Sequence, residues 1–415
     1  MGDKIVKVIF GFLVLAALMV IVGAWMVWKR PLTIDVWMSR TALKIDGLES
    51  RGLDTDAGRM TVWVGGSGPT LLLLHGAGDQ AGAWARTVGG LVSDHRVVIP
   101  DLPGHWKSDP RSGPIHMEQL LDGLNRVMDE TCAGEPVVIV GNSMGAWLGF
   151  LYAREHPERV DRLVAVNGGP LLEPDPQVNI FPTTREEAKE TMKGLMGPGT
   201  PPVPGFVLDD IVRRTGTGPA ARFAQTVGEM GVYLLDGRLN EVTVPVELVW
   251  GAADQLLTID YAQRMVDGLP RARLHPIKGC GHVPQRECPI RFLEALTAAL
   301  EEPPPEPRDV IDDAGVSDEE RAGGTPAPTT AMRLPEVLED ALKLQPPEAR
   351  PGLDDVEPDQ LVDGIQTKQA GSLLHNGAGA LWGRHLACKP RSGEGCGGGR
   401  LARQWVAERQ VEAAS

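Results

Sequence analysis

PVVIVGNSMGAWLGFLYAR, residues 136–154, decides the reading of the whole chain. Residues 136–140 are β-branched and apolar, the mark of a buried strand, and residues 146–154 continue with helical character. Between them stands GNSMG, Gly141 to Gly145, with no room for a loop. A strand-to-helix turn this sharp needs small residues on both sides of its central serine. Such a turn lifts the Ser143 hydroxyl to the top of a sheet. The helix N-terminus behind it supplies a free backbone N–H and a positive dipole end. A bare G-x-S-x-G is weak, and it is the strand before and the helix after that give this one weight.

Working outward, further apolar or β-branched runs occur at 60–64, 70–74, 96–99, 162–166, 246–250 and 272–277, most of them separated by helical patterns. Strands alternating with helices predict a mostly parallel sheet covered on both faces. A serine hydroxyl is a poor nucleophile at neutral pH and needs a base that is itself oriented by an acid. Asp254, in WGAAD, follows the run 246–250, and His282, in GCGH, follows 272–277. Both therefore fall in loops at the same sheet edge as Ser143, where ligands collect. Asn167, closing the run 162–166, is no carboxylate and leaves Asp254 without a competitor. HGAG, His75 to Gly78, closes the run 70–74 and can turn the N–H of Ala77 inward; with the N–H of Met144 this makes a two-donor oxyanion hole. His75 reads as support for that loop, and Asp101, Pro103 and His105 as a turn beside it. His116, His156 and His275 read as surface or packing residues. This chemistry calls for no cofactor and no metal, and His385 near Cys388 and Cys396 matches a zinc site too loosely to assign one.

The alternation breaks at 171–240, where Pro and Gly interrupt short amphipathic pieces at 185–195, 206–213 and 220–230. An insertion between two strands at this point predicts a helical cap over the strand ends. Phe181, Met192, Leu195, Met196, Phe206, Val207 and Ile211 are its candidates for an acyl-chain pocket, with Trp106 and Val283 from the neighbouring loops.

Residues 8–28 hold 21 residues without a charge, flanked by Lys4, Lys7, Lys29 and Arg30 and closed by Trp25 and Trp28. As a helix they span about 31 Å, against a hydrocarbon core of about 30 Å. Val22-Gly23-Ala24 is a poor signal-peptidase site, and the apolar run continues past it, so a single uncleaved anchor is expected. Lys29, Arg30, Arg40 and Lys44 outnumber Lys4 and Lys7, which by the positive-inside bias places the body in the cytoplasm. Residues 31–55 show little pattern and read as a juxtamembrane stalk. Two parts of one α/β core are then expected at 56–170 and 241–300. Of the net charge of -14, residues 301–363 carry -13 and residues 364–415 carry +4, so the acidity belongs to a tail. That tail, 301–415, is low in complexity and expected to be mostly disordered, with short helices at 333–344 and 401–411. A folded part with a net of only -5 is no partner for nucleic acid. No sequence signature identifies a protein partner for the tail. Five cysteines in irregular spacing make no disulfide framework, though they leave room for one bridge.

HGAG, DLPGHWKSD (Asp101 to Asp109), GNSMG, WGAAD and GCGH together resemble the α/β-hydrolase superfamily in order and rough spacing, over about residues 60–300. The apolar helix, the short cap and FPTTREEAKETM (Phe181 to Met192) are similar to the single-anchor monoacylglycerol lipase and esterase branch. Trp106 stands where DLPGHG usually has Gly, and Ala146 where a further Gly usually follows the serine motif. The resemblance implies a cofactor-free serine hydrolase of acyl glycerols or related lipid esters, beside the membrane. Two alternatives stand next to it. One is hydrolysis of a carbon–carbon bond in a vinylogous diketone, whose enzymes usually carry Trp where this chain has Val283. The other is a non-catalytic membrane-anchored binding protein on the same fold.

Overall fold

The computed structural model describes residues 2–173 and 177–308. The helices expected at 333–344 and 401–411 lie outside the described residues. Eight strands form one sheet: β1 (Glu49–Thr55), β2 (Gly58–Gly66), β3 (Thr70–Leu74), β4 (Arg96–Asp101), β5 (Val137–Asn142), β6 (Val160–Val166), β7 (Val246–Gly251) and β8 (Ala272–Ile277). Their order is β1-β2-β4-β3-β5-β6-β7-β8, antiparallel for the β1–β2 and β2–β4 pairs and parallel from β4 to β8. The helices are α1 (Gly2–Lys29), α2 (Pro31–Ile45), α3 (Ala85–Val88), α4 (Met117–Thr131), α5 (Met144–Glu155), α6 (Arg185–Leu195), α7 (Gly205–Thr215), α8 (Pro219–Ala224), α9 (Ile259–Gly268), α10 (Pro284–Glu287) and α11 (Pro289–Glu301).

The unbroken apolar runs follow from burial on both faces. Within β3, Leu72 and Leu74 join a core with residues of α4, α5 and α9, while Leu71 and Leu73 join a second core with residues of α2, α3 and α11. Side chains alternate across a strand, so two covered faces make every position apolar. The strand order reverses around β3 and β5, which opens the crevice at their C-terminal ends.

Residues 31–55, expected to be a stalk, are instead α2 and the edge strand β1, both packed on the body. The pattern misleads because α2 inverts the usual rule. Trp37 and Met38 are 58% and 59% exposed, whereas the Arg40 side chain is only 13% exposed. In β1 only Leu53 is fully buried, so no alternation marks the strand. Between β6 and β7 lie α6, α7 and α8. The helix expected at 220–230 breaks after Ala224 and continues as a 3₁₀ turn at Val227–Tyr233, where Gly228 and Gly231 fall. Within α1, Ile9–Lys29 is long and apolar enough to cross a membrane, and none of it is buried against protein. Its last turn nonetheless meets α7, where the Trp28 and Phe206 rings stack with centroids 5.2 Å apart.

Leu43 of α2 is fully buried in the second core. Leu43→Ala should therefore cost about 2–5 kcal/mol of stability, read as a lowered urea midpoint of the detergent-solubilised protein. A stalk residue would leave the midpoint unchanged.

Candidate active site

Ser143 sits between β5 and α5 with φ +54° and ψ -118°, a left-handed conformation that a non-glycine residue adopts only under constraint. Its neighbours provide the constraint. A Cβ on Gly141 would lie 2.4 Å from the Gly145 carbonyl, and one on Gly145 would lie 2.4 Å from the Leu74 carbonyl oxygen. The Ser143 N–H donates to Val166 O at 3.0 Å, and Gly168 passes so close that a Cβ there would lie 2.4 Å from the Ser143 Cα. The small residues of the motif are thus required by backbone approaching backbone.

Asp254 and His282 meet as their positions after β7 and β8 lead one to expect. His282 Nδ1 is 2.7 Å from Asp254 Oδ2, and both residues are buried. A carboxylate at that distance assigns the proton to Nδ1 and leaves Nε2 as the nitrogen available to Ser143. Among the described residues Ser143 Oγ makes no hydrogen bond, as is common before substrate draws nucleophile and base together. The connection between them runs through the preceding residue: Asn142 Nδ2 donates both to Val166 O and to His282 O, each at 3.0 Å.

Asp254 is itself held from three sides. Leu256 N–H and Leu257 N–H donate to Oδ1 at 2.9 and 3.2 Å, and Asn167 Nδ2 donates to Oδ2 at 2.8 Å. Sequence reasoning considered Asn167 only as an alternative acid; its role is to orient Asp254, from a positive φ of 43° that Asn tolerates better than most residues. Also missed was the contribution of α6, whose last-turn carbonyls have no partner within the helix. Gly194 O accepts from Gln255 N–H at 3.1 Å and Leu195 O from His282 N–H at 2.7 Å. Glu287 adds a second tie, accepting from Gly281 N–H at 2.7 Å, from Gly197 N–H at 2.5 Å and from Thr200 Oγ1. Cys280 and Cys288 form a disulfide across the loop that carries His282, and Cys132 is free and buried.

The HGAG loop is a four-residue turn closed by Asp79 N–H to Gly76 O at 3.2 Å, with Gly78 at φ +80°. Ala77 occupies its second position, and its N–H donates to nothing among the described residues. A Cβ on Gly76 would lie 3.1 Å from Ser143 Cβ, which fixes how closely this turn approaches the serine. Met144 is the first residue of α5, so its N–H has no carbonyl to bond within the helix. His75 supports the turn from below: Leu102 N–H donates to its Nε2 at 3.0 Å, and its Nδ1 lies 2.9 Å from Gly76 O. His105 packs edge-on against it, with ring centroids 5.0 Å apart. Burial lowers the pKa of both, His75 below its ordinary value and His105, with a further push from His75, to about 3.

All nine pocket candidates, Trp106, Phe181, Met192, Leu195, Met196, Phe206, Val207, Ile211 and Val283, are half-buried. None belongs to either core cluster. Phe206 is covered on one side by Trp28, and Trp106 lies under the Arg40 guanidinium at 5.1 Å. His275, for which the sequence offered no partner, pairs with the buried Glu247 at 2.8 Å at the far end of the sheet.

The profile of the alpha/beta hydrolase family matches residues 71–295. A 2-hydroxy-6-oxononadienedioate/2-hydroxy-6-oxononatrienedioate hydrolase of Cupriavidus pinatubonensis is 32% identical over 244 residues, which cover 54% of this chain and 84% of the relative. An uncharacterized protein of Mycobacterium tuberculosis is 27% identical over 263 residues, 56% of this chain and 75% of that one. Among solved structures, a carboxylesterase from Bacillus subtilis superposes with a TM-score of 0.54 at 20% identity, over 64% of this chain and 98% of its own. At that identity the likeness is one of fold.

The two buried histidines make stability depend on pH. Unfolded, each binds a proton below about pH 6.5; folded, His105 stays neutral down to about pH 3. The unfolded state therefore binds more protons between these values, so stability is full above about pH 6.5 and falls as the pH falls. By pH 5 the loss should reach about 2 kcal/mol for His105, with His75 adding in the same direction. Urea midpoints at pH 7.5 and pH 5 measure it, and equal midpoints would contradict it.

Proposed function

The chain belongs to the alpha/beta hydrolase family, and from that premise we propose that it is a membrane-anchored serine hydrolase of carboxylic esters with medium or long acyl chains, such as monoacylglycerols. The observation that carries the reading is the 2.7 Å contact of His282 Nδ1 with Asp254 beside a serine held in a strained turn. His282 Nε2 takes the proton from Ser143 Oγ as that oxygen attacks the ester carbonyl. The N–H groups of Ala77 and Met144 hold the resulting oxyanion, each worth about 2.7–4 kcal/mol of barrier. The imidazolium, stabilised by Asp254, gives its proton to the departing alcohol. Water then cleaves the acyl-enzyme with His282 again as base, releasing the acid and restoring Ser143. Half-buried apolar side chains around the cap suit an acyl chain, and the exposed apolar face of α1 suits a bilayer in which such a substrate is concentrated.

A specific observation also favours a second reading, carbon–carbon hydrolysis: the relative 32% identical to this chain carries a name of that class. Val283, where such enzymes usually have Trp, speaks for the ester. Rates on p-nitrophenyl esters from acetate to palmitate separate the readings. A Ser143-dependent optimum at medium or long chains is expected, with Ser143→Ala slower by at least about 10⁴-fold. Acetate activity alone would remove the lipid substrate, and Ser143-dependent turnover only of a vinylogous diketone would favour the second reading. If a fluorophosphonate failed to label Ser143, the chain would be read as a binding protein.

For the membrane face, the disulfide supports a different reading from the charge count. A Cys280–Cys288 bridge is stable in an oxidising compartment, and Arg40, counted toward the inside bias, is engaged within the fold. We infer that the body faces the extracytoplasmic side. In intact cells the bridge should resist alkylation until a reductant is added, and a membrane-impermeant protease should reach the body. Reduced thiols and full protection would place the body in the cytoplasm.

A further inference from the structure

The helix that follows the apolar segment reaches the loop that follows HGAG along two lines. Ser39 and Arg40 of α2 contact Gln80 and Asp101 directly, and Asp35, one turn before Ser39, reaches Asp79 through Arg286. Arg40 NH1 donates to Gln80 Oε1 at 3.1 Å and to Asp101 Oδ1 at 2.9 Å. Asp101 Oδ1 in turn accepts from Ala81 N–H at 2.8 Å, and Gln80 Oε1 from Gly82 N–H at 2.8 Å. Gln80 Nε2 donates to Ser39 Oγ at 3.3 Å, and α2 lies so near that a Cβ on Gly82 would be 2.2 Å from that oxygen. Arg40 is held in place by the rings of Trp63 and Trp106, at 5.0 and 5.1 Å from its guanidinium.

The second line of contact reaches the turn itself. Asp35 pairs with Arg286 NH2 at 2.6 Å, and Arg286 NH1 donates to both oxygens of Asp79 at 3.2 Å. Asp79 is the residue whose N–H closes the turn around Ala77. Arg286 belongs to α10, just beyond His282, so Asp35 holds an arginine that links the oxyanion turn to the element carrying the base.

We propose that α2 is a positioning element of the active site: Asp35, Ser39 and Arg40 set the oxyanion turn, and turnover depends on a helix outside the stretch that matches the family. The proposal rests on the reading of Ala77 N–H as an oxyanion donor. Such donors act only when aimed at the developing charge, and loss of one costs about 10²–10³ in kcat. A turn released from Asp79 and Gln80 loses that aim without losing the serine or the histidine.

The test uses the full chain in detergent, with Asp35→Asn, Arg40→Gln and, as a control on the exposed side of the same helix, Lys44→Gln. Active sites are titrated with a fluorophosphonate. Then kcat and KM are measured on p-nitrophenyl butyrate, and inhibition by butylboronic acid, which forms a tetrahedral adduct on serine. Asp35→Asn and Arg40→Gln should each lower kcat per titrated site by about 10- to 100-fold. Boronic acid binding should weaken by a similar factor, KM of Asp35→Asn should stay within about twofold, and Lys44→Gln should match the wild type. Wild-type kcat and boronate affinity in both variants, with Ser143→Ala inactive, would overturn the proposal and leave the serine hydrolase reading intact. In Asp35→Asn, a loss confined to KM or to the titrated fraction would make α2 a brace only, and would overturn it too. Activity persisting in Ser143→Ala would instead sink the underlying reading. Should Arg40→Gln fail to fold, because it leaves the buried Asp101 carboxylate unpaired, the half-exposed Asp35 pair decides alone.

Discussion

Where β5 ends, α5 begins against its own strand and against β3 with no side chain between them, at Gly141 and Gly145. That crossing forces Ser143 into its left-handed turn and makes Met144 the first residue of α5, with its N–H outside the helix's own hydrogen bonds. A larger residue at either glycine would have to push backbone away from backbone, which packed interiors resist. The strain stored at Ser143, of order 1–3 kcal/mol for such a conformation, is tolerable because both core layers clamp the strands on either side.

The other two catalytic candidates are held differently. Asp254 and His282 sit on loops, and loops are stiffened here by borrowed helix ends. The last carbonyls of α6 are completed by N–H groups of the acid loop and the base loop, so the cap insertion and the catalytic loops satisfy each other's backbone. Glu287 and the Cys280–Cys288 bridge close the same loop from its other side. The insertion is thus more than a cover: its first helix is part of the frame on which His282 is mounted.

Much of this was legible in the sequence, for reasons that can be named. The strands of the parallel region announced themselves because burial on two faces leaves only apolar residues, and the catalytic loops followed because topology places every βα turn at one edge. The α6 boundaries were readable because an amphipathic piece at 185–195 stands between Pro and Gly interruptions. What stayed hidden were interactions whose residues carry no pattern. Asn167 looks like a failed acid until its amide is seen on Asp254. Arg40 looks like a flanking charge until it is found between two tryptophans, and β1 exposes nearly all of itself at the sheet edge. Periodicity reports the face a segment buries, and α2 buries a charge.

Only Arg30 separates α1 from α2, and α2 is fastened to the body at both ends, its Leu32 N–H bonded to the buried Asp210 of α7. With α1 in a bilayer, such a body has no tether and no reach. It rides at one height and one tilt, so its mouth samples a thin layer of fixed depth. Turnover would then follow substrate molecules per lipid rather than per litre, and adding inert lipid would slow the enzyme by spreading its substrate over more surface. In that placement a one-residue joint would convert a three-dimensional search into a two-dimensional one.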